Sequence, residues 1–174
     1  MQDLKFYDYK FQNQSLTTFA LLRQAWIAVN KAAETKLLKV DLTPEKLAVL
    51  WACRDYPGTL IPAEVARLVF RENQTIAGLL NRMEAEGLVK RVPKTKGHPF
   101  TEIKMTAKGE KTVDPGVEIM KALISELVDG LPVQQQEQVQ KLLRSLRDKA
   151  LDKLHIEAHP PAGFTDGKPI PVKW

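Results

Sequence analysis

A single cysteine, Cys53, stands in this chain of 174 residues, so no disulfide can close within it, which suits a reducing compartment. Histidine is nearly as scarce, with His98, His155 and His159 alone. His155 and His159 have the i, i+4 spacing of a helical metal pair, but Pro160 and Pro161 end a helix at that point and no cysteine joins them. No metal site is expected. No apolar run approaches the ~20 residues that span a bilayer. The opening MQDLKFYDYK has neither the basic nor the apolar region of a secretory leader, so a cytoplasmic protein without membrane contact is expected. Catalytic patterns are missing too: there is no Gly-rich phosphate loop, no Ser/His/Asp set and no paired carboxylates. The expectation is a protein that is not an enzyme and needs no cofactor.

Positive charge is present, and it is concentrated. The formal net charge is +5. Between Gly87 and Lys111, Lys90, Arg91, Lys94, Lys96, Lys104, Lys108 and Lys111 face only Glu102 and Glu110, which accounts for that excess. A local basic patch on an otherwise balanced chain points to a polyanion bound at one place.

Just before the patch, Ile76, Leu79, Leu80 and Met83 recur at three- and four-residue steps, so they share one face of a helix over residues 73–86. The opposite face holds Arg71, Asn73, Gln74, Thr75, Ala77, Gly78, Asn81 and Arg82. Arg, Gln and Asn are the side chains that pair with base edges in a major groove. Glycine inside a helix costs about 1 kcal/mol relative to alanine, so Gly78 calls for an explanation. Gly87 ends the helix in the usual way. Residues 88–92 and 101–105 then read as two strands, joined by a loop with Lys94, Thr95, Lys96 and His98 but no acid. A polar helical face alone is usually a solvated surface, and a basic loop alone is usually a solvated turn. Their adjacency behind a short helix at residues 62–69 is the layout of a winged helix-turn-helix. In that layout the helix reads bases in the major groove, and the loop, with Arg91, lies along the nucleic-acid backbone or the minor groove.

Long amphipathic helices are expected on either side. Ser15 can cap one running to about residue 39, with Leu16, Phe19, Leu22, Trp26, Val29, Ala33, Leu37 and Val40 on its apolar stripe. Thr43-Pro44 opens a helix to about residue 55 with Leu47, Leu50 and Trp51 inward. Thr106 caps another, which Asp114-Pro115-Gly116 should break or kink before it resumes to about residue 129. A last helix spans about 133–155, with Val139, Leu142, Leu143, Leu146, Ala150 and Leu154 on one side. The expected architecture is mainly α with a small β wing. Residues 1–40 form an arm and dimerisation helix, 41–112 the winged DNA-binding domain, 113–158 further dimerisation helices, and 159–174 a Pro/Gly-rich tail. Stripes this long at both ends suggest a homodimer. The aromatics Phe6, Tyr7, Tyr9 and Phe11 would dock on the body or on a partner. The tail is either disordered or docked, in which case Phe164, Ile170, Val172 and Trp174 could anchor it.

At the quoted residues the chain resembles the MarR family of transcriptional regulators. The family's run is met at Leu42-Thr43-Pro44, Glu64-Val65-Ala66, Gln74-Thr75-Ile76, Arg82-Met83-Glu84, Gly87-Leu88-Val89, and Met105-Thr106 followed by Lys108-Gly109. The resemblance implies a dimer, responsive to a ligand or an oxidant, that binds near-palindromic double-stranded DNA, most simply as a repressor. It also implies a pocket for a small aromatic effector between the dimer helices and the reader, which Phe19, Trp26, Trp51 and Tyr56 could line, although each is also an ordinary core aromatic. Where the family's wing usually has Asp-Arg-Arg, this chain has Gly97, His98 and Pro99. Gly78 stands where the family often has Arg, and Phe70 where it often has Gly in the turn. Base reading accordingly shifts to Gln74 and Asn81, and backbone binding rests on Lys94 and Lys96. Cys53, inside a helix in Trp51-Ala52-Cys53-Arg54, reads as a small core residue rather than an oxidant sensor. The rival to DNA reading is a winged-helix module that meets an acidic protein with the same face.

Overall fold

Asn13 starts the first helix, its side chain accepting a hydrogen bond from the Leu16 amide at 3.0 Å. Asparagine caps as well as serine does, so helix α1 begins at Gln14 and Ser15, the expected cap, lies inside its first turn. The computed structural model describes residues 10–56, 58–93 and 101–154, and the expectations for the N-terminal aromatics before Phe11, for the wing loop and for the C-terminal tail fall outside these. α1 (Gln14–Leu37) passes through a 3-10 turn (Leu38–Val40) into α2 (Pro44–Asp55), α3 (Pro62–Leu68) and α4 (Asn73–Ala85). Strands β1 (Val89–Pro93) and β2 (Thr101–Met105) follow, then α5 (Ala107–Val128) and α6 (Val133–Lys153). The fold is mostly helical, with one two-stranded antiparallel sheet in which Val89 faces Met105 and Arg91 faces Ile103. The residues preceding α3 extend this sheet in effect, because the Ile103 amide donates to the Leu60 carbonyl at 2.8 Å.

One apolar cluster holds the middle of the chain together. Leu42, Leu47, Val49 and Leu50 from α2 and its approach meet Val65 and Ala66 of α3 and the inner face of α4. Leu88, Val89 and Ile103 of the strands and Val113 and Val117 of α5 complete it. Full burial of side chains of this size contributes roughly 1.5–3 kcal/mol each. Trp51, expected inward, is only half-buried.

Pro115 does not interrupt its helix. α5 runs unbroken from Ala107 to Val128 with Pro115 inside it. The ring removes one backbone hydrogen bond, but Pro115 and Lys111, whose carbonyl loses the donor, are exposed to water. On the inner side Val113, Gly116 and Val117 are buried. A Cβ on Gly116 would stand 2.7 Å from Leu42 Cδ1 and 3.0 Å from Leu47 Cδ1, so the helix sits directly on the core there. Tertiary packing carries the helix through a residue that ends helices locally. Among the described residues no helix is long and apolar enough to cross a membrane.

Candidate nucleic-acid interface

Helix α4 is bound to the body by its apolar face and open on the other. Ile76, Leu79, Leu80 and Met83 are buried. Arg71, Asn73, Gln74, Thr75, Ala77, Asn81 and Arg82 are exposed, and Gly78 is intermediate. Gly87 adopts φ 72° just past its end, its amide donating to Glu84 and the Leu88 amide donating to Met83. Such a left-handed residue is inexpensive only as glycine. The other end is fixed through α3, where the Phe70 and Arg71 amides donate back to Arg67 and Ala66.

A Cβ on Gly78 would meet only the Arg82 guanidinium nitrogen, at 3.9 Å. The protomer therefore has room for a methyl group there, and contact at the Cβ position does not explain the glycine. Gly109 behaves oppositely, because a Cβ would lie 2.3 Å from the Leu88 carbonyl oxygen and 2.6 Å from Met105 Cγ. That close approach brings the start of α5 against the strands. Thr106 caps α5 through the Gly109 amide at 3.1 Å, and its hydroxyl donates to the Gly87 carbonyl at 2.6 Å.

Arg91 leaves β1 toward α4. Its backbone amide donates to Glu84 Oε1 at 3.0 Å, and its guanidinium donates to Glu84 Oε2 at 3.3 Å and to the Ala77 carbonyl at 3.4 Å. It braces the wing strand against the recognition helix, a partnership not apparent from residues seven apart across a helix end. Lys46 similarly grips the Glu86 carboxylate with contacts of 2.7 and 2.8 Å, and Lys108 donates to the Glu86 carbonyl at 2.8 Å. Arg82 has no acidic partner among the described residues and remains available on the open face. Lys94, Thr95, Lys96 and His98 lie outside the described residues.

The four aromatics proposed for an effector are placed in two settings. Phe19 and Trp26 stand on the open face of α1, 61% and 63% exposed. Trp51 and Tyr56 are half-buried at the end of α2, and the core cluster takes in Tyr56 but not the other three. The Trp51 indole donates to Asp55. The Tyr56 hydroxyl donates to Glu64 Oε2 at 3.0 Å, and Arg67 holds the other oxygen of Glu64 at 2.7 Å. Burial, then this bond to a carboxylate, raises the Tyr56 pKa above its ordinary value. Cys53 is packed against the core, and burial pushes its thiol up to about 11. Thiolate is the reactive form, so this cysteine is chemically quiet. Among the described residues no three His, Cys, Asp or Glu side chains converge as a metal site.

A short helix, a tight turn, a second helix with an open polar face and a two-stranded hairpin define a winged helix-turn-helix, a DNA-reading class. Residues 40–97 match the description of the MarR family. The chain is 32% identical over 110 residues to the transcriptional regulator HosA of Escherichia coli O127:H6, covering 78% of that regulator and 61% of this chain. The protein belongs to the MarR family, whose members are DNA-binding transcriptional regulators and not enzymes. Its fold matches that of MepR of S. aureus in complex with DNA, with a TM-score of 0.71 and 23% identity over 80% of this chain and 99% of that one. It also matches CouR of Rhodococcus jostii RHA1 bound to p-coumaroyl-CoA, with a TM-score of 0.68 and 22% identity over 78% of this chain and 95% of that one.

Proposed function

We propose that this regulator is a cytoplasmic homodimer that reads a near-palindromic operator in double-stranded DNA and represses the adjacent genes. The open face of α4 is the observation that supports this most, since Gln74, Asn81 and Arg82 project from a helix whose other side is locked into the core. α4 enters the major groove, Gln74 and Asn81 pair with base edges, and Lys94 and Lys96 neutralise phosphates. The apolar side chains left open on the first and last helices support the dimer. Leu16, Phe19, Trp26 and Ile27 on α1 and Val139, Leu142, Leu143 and Leu146 on α6 are all more than 40% exposed. Two-fold symmetry then places two reading helices about one turn of DNA apart.

A small aromatic effector releases the operator in this scheme. CouR, of the same fold, holds a ligand with an aromatic acyl group. Tyr56 connects α2 to α3 through Glu64, so a ligand that displaces Tyr56 would loosen the helix-turn-helix.

The test begins with a duplex selected from a random-sequence pool, titrated against a scrambled control at several salt concentrations. The selected duplex should bind at least ~10³-fold more tightly than the control. The Lys94→Ala and Lys96→Ala variants should lose affinity equally on both duplexes, with the salt slope falling by about 1 per contact. Failure to select any duplex, alongside tight binding of an acidic protein, would favour the protein-interaction reading.

A further inference from the structure

Phe70 occupies a position that the protomer itself does not explain. It is the left-handed residue after α3, at φ 50°. Its amide donates to Arg67 at 3.3 Å and the Arg71 amide donates to Ala66 at 3.0 Å, the hydrogen-bond pattern that closes a helix through a residue best suited to glycine. A branched or bulky residue in that conformation is strained. The phenyl ring gains little in return, since it is 61% exposed and outside the core cluster. Two unfavourable features coincide, a left-handed backbone and a largely exposed phenyl ring, at a turn whose hydrogen bonds a glycine would make equally well.

The place of the ring suggests what offsets them. Phe70 precedes Arg71 at the entrance to α4, continuous with the exposed Asn73 and Gln74. In helix-turn-helix proteins the first residues of the reading helix meet the base edges. The one apolar group on the major-groove edge of DNA is the C5 methyl of thymine, and aromatic side chains contact it. We infer that Phe70 packs against a thymine methyl in each operator half-site and selects T·A at that position. This rests on the proposal that α4 reads DNA.

The experiment uses the full-length protein and a duplex selected from a random pool, in which each thymine is replaced in turn by deoxyuridine, deleting only the methyl. Wild-type affinity should fall about fourfold at one thymine per half-site, and about 15-fold when both are replaced. Phe70→Gly should melt at a higher temperature because the strain is relieved. It should also bind the intact duplex more weakly and be indifferent to the same deoxyuridines. That opposition of stability and affinity is not expected of a merely structural residue. The inference is overturned if Phe70→Gly keeps the wild-type methyl dependence, if it weakens all duplexes alike, or if it changes the oligomeric state instead. A wild-type protein that selects no duplex would refute DNA reading itself, whereas selection without methyl dependence refutes the role of Phe70 alone.

Discussion

Helices α4 and α6 are both amphipathic, yet the protein treats them differently. α4 buries Ile76, Leu79, Leu80 and Met83 against its own chain. α6, of 21 residues, buries nothing. An apolar stripe is a requirement for a partner surface, and the reader meets that requirement from neighbouring elements while α6 leaves it open. The reader is a closed body, and in the proposed homodimer the terminal helices are one half of an interface. Glycine shows the same division on a smaller scale. Gly109 is imposed by the Leu88 carbonyl 2.3 Å from where its Cβ would be, whereas Gly78 faces open space apart from Arg82.

The comparison breaks most visibly at α6. Leu142→Asp with Leu146→Asp should leave the reader folded but split the dimer, which light scattering would register as a halved mass. Operator affinity should then fall by about 10²–10⁴-fold, because two tethered readers become two independent ones. A monomeric wild type would remove the basis of this prediction.

Gly109→Ala should destabilise the reader by about 1–3 kcal/mol, since the new methyl has to displace backbone rather than a flexible side-chain end. A denaturant titration measures it, and an unchanged midpoint would mean that α5 does not sit on the strands as described. Cys53 probes the closure of the same body. With its thiol pushed up to about 11 from 9.0, the neutral form is favoured on folding. That contribution to stability is complete below pH 9 and is lost as pH rises through 11. Alkylation of the folded protein at pH 8 should run about 100-fold more slowly than that of a free thiol. Rapid labelling would show that α2 opens readily.

Much of this organisation is legible in the sequence because it is local. The period of Ile76, Leu79, Leu80 and Met83, the Thr43 and Thr106 caps and Gly87 each act within a turn or two of the chain, and α2, α4 and the strands lie within a residue or two of where those signals put them. The sequence misleads, or is silent, where distant packing overrides or adds to a local rule. Pro115 reads as a break or a kink, and of these the break does not occur, because the seat of Gly116 on Leu42 and Leu47 holds α5 together. Arg91 reads only as a basic residue of the wing, and its hold on Glu84 is a contact that exists only once β1 has turned back along α4. The basic residues of the wing loop, Lys94 and Lys96, are plain in the sequence as a composition, and their positions lie outside the described residues.

The smallest expected effect is that of Gly78→Ala, which should stabilise the protein by up to about 1 kcal/mol, because alanine restores helix propensity at a position with room for a methyl group. Gly78→Leu at the same position tests the central claim most directly. The Cβ of a leucine there meets only the flexible end of Arg82, and the helix face around it is open, so the protein should stay folded and melt near the wild-type temperature. If α4 sits in the major groove with Gly78 against the bases, the larger side chain holds it off. Binding to the selected operator should then fall to the level of random duplex, a loss of roughly 10³-fold or more. The measurement is one operator titration beside one melting curve. Operator affinity equal to that of the wild type, in a variant that melts normally, would contradict the account, because this face of α4 would then not enter the groove.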